Sequence, residues 1–437
     1  LLIGATGALL ALWLEYRRRP TSRTIYAMSI VAALLVLAEP RVIGVCIVAV
    51  LAWAVERLAF KRKWIAADRA IPWKTLGLFF GVTLVLAATA LSINSFGLAA
   101  WADYPVAWAS HLRPVINGRP WFYPLSALLL YEPLILFFGA IGAVDLIVNR
   151  DKLTFVVWMA LGLLVLALLA GGRGHGDVDL VCVFLALCAG RTVQRLAESW
   201  QQGYLRREGL YVLIGLGISV YVAFEASFYA FALLRNLEQA GQFLWFWLLA
   251  TALVVILIGL LLAWYGSELT WRTTGTIAAI VLALNAFSAT TNLNFRHAND
   301  PRELHVWTAT DLGVRDALDV MADLSFHQRG HPKAASVTVE AAVGPVWLWY
   351  LRDWEDVRLV DQVTSDVDTT LVLASAAQEH PPLGDQYMGQ DFVARTWWQP
   401  SQLVLNDRIS WWLYRKSISD PQVISRVILW LRAEQMA

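Results

Sequence analysis

Phe243–Trp264 reads FLWFWLLATALVVILIGLLLAW, an uninterrupted apolar run without a charged side chain. A helix of that length spans a hydrocarbon core of about 30 Å, which takes roughly 20 residues at 1.5 Å each. Working outward, nine further apolar stretches fill Leu1 to Thr290: Leu1–Leu14, Ile25–Ala38, Val42–Val55, Thr75–Ile93, Leu125–Val148, Leu153–Ala170, Leu180–Gly190, Gly209–Phe231 and Thr273–Thr290. Beyond them the composition becomes that of a water-soluble domain. The expected fold class is therefore a polytopic α-helical membrane protein. It has about ten transmembrane segments in residues 1–290 and a C-terminal extracytoplasmic α/β domain in residues 291–437.

Composition agrees with a membrane class. Hydrophobic residues make up 58% of the chain and charged residues 16%, well away from a soluble average. The net charge of +1 is uninformative about a nucleic-acid partner, and none is expected because no basic, aromatic-interleaved run appears outside the short membrane-flanking loops. Many of the 22 tryptophans stand at segment ends, among them Trp64, Trp73, Trp101, Trp121, Trp245 and Trp271, as interfacial anchors do. Cys46, Cys182 and Cys188 all lie in apolar stretches, so the C-terminal domain has no disulfide framework, and no Cys–His spacing predicts a zinc site. Leu1 already lies inside an apolar run, so a preceding segment is expected.

Segments two and three are short. Reading them as a hairpin that turns at Glu39-Pro40-Arg41 places the basic loops Arg17–Arg23 and Arg57–Lys74 on one side. Most basic residues then fall in the odd-numbered loops, which the positive-inside rule makes cytoplasmic. With ten crossings the C-terminal domain faces outward, in the cell membrane. On the outer side, Asn94–Pro124 mixes Trp101, Tyr104, Trp108 and Trp121 with Asp103, His111, Arg113 and Arg119, the pattern of helices lying in the interface over a cavity bounded by Tyr131 and Glu132. The glycine-rich Gly171–Asp179 either opens a helix or forms a re-entrant element.

The C-terminal part alternates strand and helix signals. Strands are expected at Leu304–Ala309, Ser336–Ala341, Val357–Val360 and Thr370–Ala374, and helices at Asp311–Phe326 (N-cap Thr310), Val346–Trp354 and Ile409–Ser417. No glycine-rich phosphate loop follows the first strand, which argues against a nucleotide site.

Ionisable residues inside apolar stretches are functional candidates by default, because leaving them unpaired is costly. Glu132 reads as a carboxylate facing an outer cavity or as an ion-pair partner that holds the bundle. Asp145, close to the cytoplasmic end and beside Arg150, reads as snorkelling or paired. Arg41, Arg113, Arg119, Arg173 and His175 share the outer side, where together they could grip a lipid phosphate; singly, each has an equally good surface role.

The turn Ala38-Glu39-Pro40-Arg41, the run Arg119-Pro120-Trp121-Phe122-Tyr123-Pro124 into Leu130-Tyr131-Glu132, and Gly344-Pro345-Val346-Trp347-Leu348-Trp349-Tyr350-Leu351-Arg352-Asp353 carry a family resemblance. In the order of these parts the chain resembles the membrane-embedded C-type (GT-C) glycosyltransferases of the protein mannosyltransferase superfamily, in the branch named for flippase-associated N-glycosylation. Ala38 stands where that family often has a lysine, with Arg41 the nearest cation. The resemblance implies transfer of a sugar from a polyprenyl-phosphate donor at the outer membrane face. A carboxylate would act as base, and a divalent metal ion or an arginine cluster would neutralise the leaving phosphate. It implies donor contacts at Glu39, Arg41, Arg113 and Arg119 and acceptor-side roles for His175 and Asp177. The catalytic acid is expected upstream of Leu1, with Asp177 and Glu132 the candidates inside the chain. The rival reading is a non-catalytic scaffold subunit of a larger membrane protein complex. A transporter fits less well, for want of paired interrupted segments in two halves.

Overall fold

The computed structural model describes residues 2–19, 21–59, 73–91, 93, 96–113, 119–151, 153–201, 205–235, 237–306, 308–377, 381–383, 386–398, 405–416 and 419–432. The basic residues Lys61, Arg62, Lys63 and Arg69 lie outside them. The chain divides into two compact units, one of Leu1–Glu225 with Phe246–Thr290 and one of Ala226–Trp245 with Thr291–Ala437.

The helices in order are α1 (Leu2–Arg18), α2 (Ser22–Ala38), α3 (Val42–Ala59), α4 (Trp73–Ala88), α5 (Phe96–Ala102), α6 (Tyr104–His111), α7 (Tyr123–Tyr131), α8 (Pro133–Val148), α9 (Thr154–Leu169), α10 (His175–Gln201), α11 (Leu205–Leu234) and α12 (Ala240–Thr291). This corrects the expectation of about ten spanning segments. Among the described residues only three helices are long and apolar enough to cross a membrane: Gly176–Gln201, Glu208–Leu234 and Ala240–Arg296. Length is the physical reason. α1 and α2 have 17 residues and α4 and α9 have 16, so at 1.5 Å per residue each reaches roughly 25 Å, short of a core of about 30 Å. The parity count that set the C-terminal domain outside depended on ten crossings and falls with them.

Three expected segments change shape. Leu125–Val148 is broken into α7 and α8, bent by 104°. The break lies at Glu132, where the backbone leaves the helical region (φ −126°, ψ 46°) before Pro133, as the proline ring demands of its predecessor. Leu180–Gly190 is part of the much longer α10, which runs on through Arg191 and Arg195 to Gln201. Phe243–Trp264 and Thr273–Thr290 join in α12, interrupted only at Gly266 (φ 79°, ψ 177°), a conformation that side chains other than glycine rarely adopt. The turn at Glu39-Pro40-Arg41 does separate α2 from α3.

α8 lies directly on α10. A Cβ on Gly142 would stand 1.9 Å from the Cys188 carbonyl oxygen, and one on Gly139 would stand 2.8 Å from that of Leu185. Across the same seam the Thr192 hydroxyl donates to the Phe138 carbonyl at 2.7 Å. At one end of the seam Asp145 pairs with Arg191 (3.3 Å) and Arg195.

The second unit holds a six-stranded mixed sheet of order β1-β5-β6-β4-β2-β3: β1 (Thr308–Thr310), β2 (Ser336–Glu340), β3 (Asp356–Val360), β4 (Leu371–Ser375), β5 (Tyr387–Trp397) and β6 (Gln422–Arg432). β2 runs parallel to β3 and β4, and the other pairs are antiparallel. α13 (Gly313–Arg329) buries Val314, Ala317, Met321 and Ser325 and stops at Gly330, whose left-handed φ of 71° ends the helix. Asp311, rather than the expected Thr310, covers its start by accepting from the Gly313 N–H at 3.0 Å. α14 (Pro345–Tyr350) plants Trp347 in the core beside Val337, Val339, Leu371 and Leu429. α15 (Leu405–Tyr414) carries Trp411, stacked on Trp398 at 5.6 Å, and is followed by Arg415, paired with the buried Glu303 at 3.1 Å. Burial pushes the Tyr387 phenol above its usual pKa, and its hydroxyl donates to the Thr369 carbonyl at 2.7 Å.

The glycine seam gives a direct test. Gly142→Ala should cost about 2–3 kcal/mol, because a backbone carbonyl cannot step aside as a side-chain end can. Gly190→Ala, with nothing within 4 Å of the added carbon, should be neutral or slightly stabilising. Thermal unfolding of the two variants in detergent compares them; equal effects would mean that the seam is not tight.

Candidate functional site

At Gly172, Gly174 and Gly176 side chains from other segments lie close on the loop. A Cβ at Gly176 would be 1.9 Å from the Arg41 guanidinium, one at Gly174 would be 2.9 Å from it, and one at Gly172 would be 2.9 Å from the His111 ring. The loop is held to the end of α6 by backbone bonds from Gly172 N–H to the His111 carbonyl (2.8 Å) and from Gly171 N–H to that of Leu112 (3.2 Å). It then turns into α10.

Asp177 is the centre of the cluster. Near the helix start its carboxylate reaches back to accept from the Gly174 N–H at 2.8 Å, half of a capping box and a favourable place for negative charge. The same carboxylate meets Arg41 Nε at 3.4 Å and His111 Nε2 at 3.2 Å. Arg41 also meets Glu39 at 3.0 Å. Segments far apart in sequence are thus tied together: the α2–α3 turn, the end of α6 and the start of α10. α6 is seated by the Tyr104 hydroxyl, which donates to the Leu37 carbonyl at 2.8 Å. Beneath it Arg41, Trp108, His111, Leu163, Ala167 and Asp177 line a cavity of about 20 Å³, room for roughly one water molecule.

Beside the cluster Arg119 and Arg173 clasp each other's backbone. Arg119 Nη1 donates to the Arg173 carbonyl at 3.0 Å and Arg173 Nη1 to the Arg119 carbonyl at 2.9 Å. Arg119 also lies over the Tyr123 ring at 4.7 Å, a cation–π contact.

The structure therefore brings together Glu39, Arg41 and Asp177 from the sequence candidates, with Arg119 bonded to Arg173 of the glycine-rich loop. Arg113 is exposed and Glu132 is half-buried, near enough to Asp179 for their charges to repel. Neither Tyr131 nor Glu132 is among the residues that line the small cavity under α6. The backbone of His175 opens α10, and its side chain lies outside the described residues, as do residues 114–118 of the outer stretch. Among the described residues no three His, Cys, Asp or Glu side chains converge as metal ligands. Sequence reasoning did not foresee the partnership of His111 with Asp177. The signal present was the alternation of glycines at 172, 174 and 176, which marks close approach by other groups.

Asp177→Asn keeps the shape and tests the charge. One carboxylate oxygen becomes an NH2 that faces either the Gly174 N–H or the Arg41 guanidinium, donor against donor. A loss of about 2 kcal/mol in detergent unfolding is expected, against less than about 0.5 kcal/mol for the exposed Arg113→Ala. No protein-family model, no curated protein and no solved structure matches the chain.

Proposed function

We propose that this is a membrane glycosyltransferase-like protein whose Arg41–Asp177–His111 cluster handles the phosphate end of a polyprenyl-phosphate sugar. One observation carries the reading. An arginine, a histidine and two carboxylates meet at the glycine-rich start of a helix long and apolar enough to cross a membrane. Arg41 bound to two carboxylates is a guanidinium that an incoming phosphate can capture in their place, through the forked geometry it offers to either. Release of Arg41 would leave Asp177 on His111, free to take a proton.

In the transfer, the acceptor hydroxyl oxygen bonds to the anomeric carbon as the bond from that carbon to the phosphate oxygen breaks. The hydroxyl proton passes to a carboxylate and the phosphate leaves with the bonding electron pair. Asp177 is the carboxylate of this chain placed to receive that proton, and Arg41 and Arg119 are the cations placed to meet the phosphate. A divalent ion could share that charge. The outer membrane face is the proposed side, since the donor is presented there in the family that the chain resembles.

A scaffold in a membrane complex is the second reading, and the closed geometry favours it. Arg41 and Asp177 neutralise each other, and the cavity beside them admits about one water rather than a sugar. Donor binding separates the two. Arg41→Ala should weaken binding of a polyprenyl-phosphate sugar about tenfold or more, the worth of one charge-assisted contact. Its unfolding temperature should fall less than that of Asp177→Asn. Absence of donor binding by the unmutated protein would decide for the scaffold.

A further inference from the structure

A second cavity lies apart from the Arg41 cluster within the same unit. It has a volume of about 630 Å³ and is lined by α11 at Tyr211, Ile214 and Ser219 and by both halves of α12, from Val254 to Tyr265 and from Thr274 to Leu282. Ligand pockets run from about 300 to 1,000 Å³. Val254 and Leu282 would stand about 42 Å apart on a straight helix, so sharing one pocket means that the break at Gly266 folds the two halves back on each other. No lining residue is charged. Since α11 and α12 are helices able to cross a membrane, hydrocarbon is the fitting occupant.

One end of the cavity is polar. The Tyr211 and Tyr265 hydroxyls are hydrogen-bonded at 3.1 Å. One turn further along each helix stand Glu208 and Glu268, both bound to Arg272, Glu208 at 3.0 Å. Glu208 and Arg272 are 5% and 6% exposed, yet Glu208 Oε2 and Arg272 Nε have no hydrogen-bond partner among the described residues. A buried carboxylate oxygen without a donor is costly. The orphaned acceptor of Glu208 calls for a donor and the orphaned donor of Arg272 for an acceptor, so a headgroup that carries both an ammonium and a phosphate complements this rim better than one that carries a phosphate alone.

We infer that this crook holds one bilayer phospholipid with a zwitterionic, amine-bearing headgroup, its chain in the cavity and its ammonium on Glu208. The site is independent of the donor reading, and its test does not use the Arg41 cluster. The purified full chain would be stripped in lipid-free detergent and then offered phosphatidylethanolamine or phosphatidylglycerol with identical chains. Retained lipid would be counted by native mass spectrometry, with unfolding temperature as a second readout.

The expected result is one phosphatidylethanolamine per chain, a raised unfolding temperature and at least tenfold weaker retention of phosphatidylglycerol. Ser219→Phe, which narrows the cavity, should unfold normally without lipid and retain both lipids more weakly. Glu208→Gln should narrow the preference between the headgroups. If that variant does not fold, the headgroup comparison and Ser219→Phe decide alone. Equal retention of both lipids by the parent, no retention of either, or undiminished retention by Ser219→Phe would overturn the inference.

Discussion

The close seating of α10 on α8 is the constraint on which the first unit depends. Between helices in lipid there is little hydrophobic driving force, so contact must come from backbones that approach closely and from hydrogen bonds between helices. Gly139 and Gly142 allow the approach, and the Thr192 hydroxyl on the Phe138 carbonyl supplies the bond. Asp145 with Arg191 and Arg195 fixes the far end of the seam. Once α10 is held along this line, the position of its first turn is set, and with it the place where Asp177 can meet groups from other helices.

The polar groups set into apolar surroundings follow one pattern. Glu56, 1% exposed, accepts from the Trp158 ring N–H at 3.1 Å. Asp177 takes Arg41, His111 and a backbone N–H, and Glu208 takes Arg272. Pairing of this kind adds little net stability, since desolvating two charges consumes most of their attraction. Removing one partner is expensive all the same, so the pairs act on register, admitting one arrangement of the helices and penalising the others.

How far the sequence was readable differs from element to element. The turn at Pro40 was reached from the basic loops on either side of the hairpin, and β2, β3 and β4 stood out by their branched residues. α10 was misjudged because apolarity ends at Gly190 while the helix continues. Its charged last part is tolerated because Arg191 and Arg195 face Asp145 on α8, a tertiary fact that no local window holds. The number of spanning helices failed for a similar reason: an apolar run measures composition, whereas spanning depends on how many residues stay helical. β5 escaped notice because polar residues such as Gln390, Asp391 and Arg395 interrupt its pattern, and a register shift near Val393 breaks its period, whereas β6 was missed although Val427–Leu431 is continuously apolar. Of the site, the charges were legible singly. Their convergence on Asp177 was not, because it is made by the fold.

That convergence has a consequence for how the cluster can work. Arg41 is held by Glu39 at 3.0 Å and by Asp177 at 3.4 Å, and Asp177 is held by two further donors. The longer contact is the weaker of the two, and Asp177 is the partner better able to lose it, because His111 and the Gly174 N–H remain. A competing anion would therefore separate Arg41 from Asp177 before it separated Arg41 from Glu39. The α2–α3 turn would keep its own ion pair, and α10 would keep its capped start. Opening would move a side chain rather than a helix, which suits a group lying on glycines at 174 and 176, where no Cβ stands in its path.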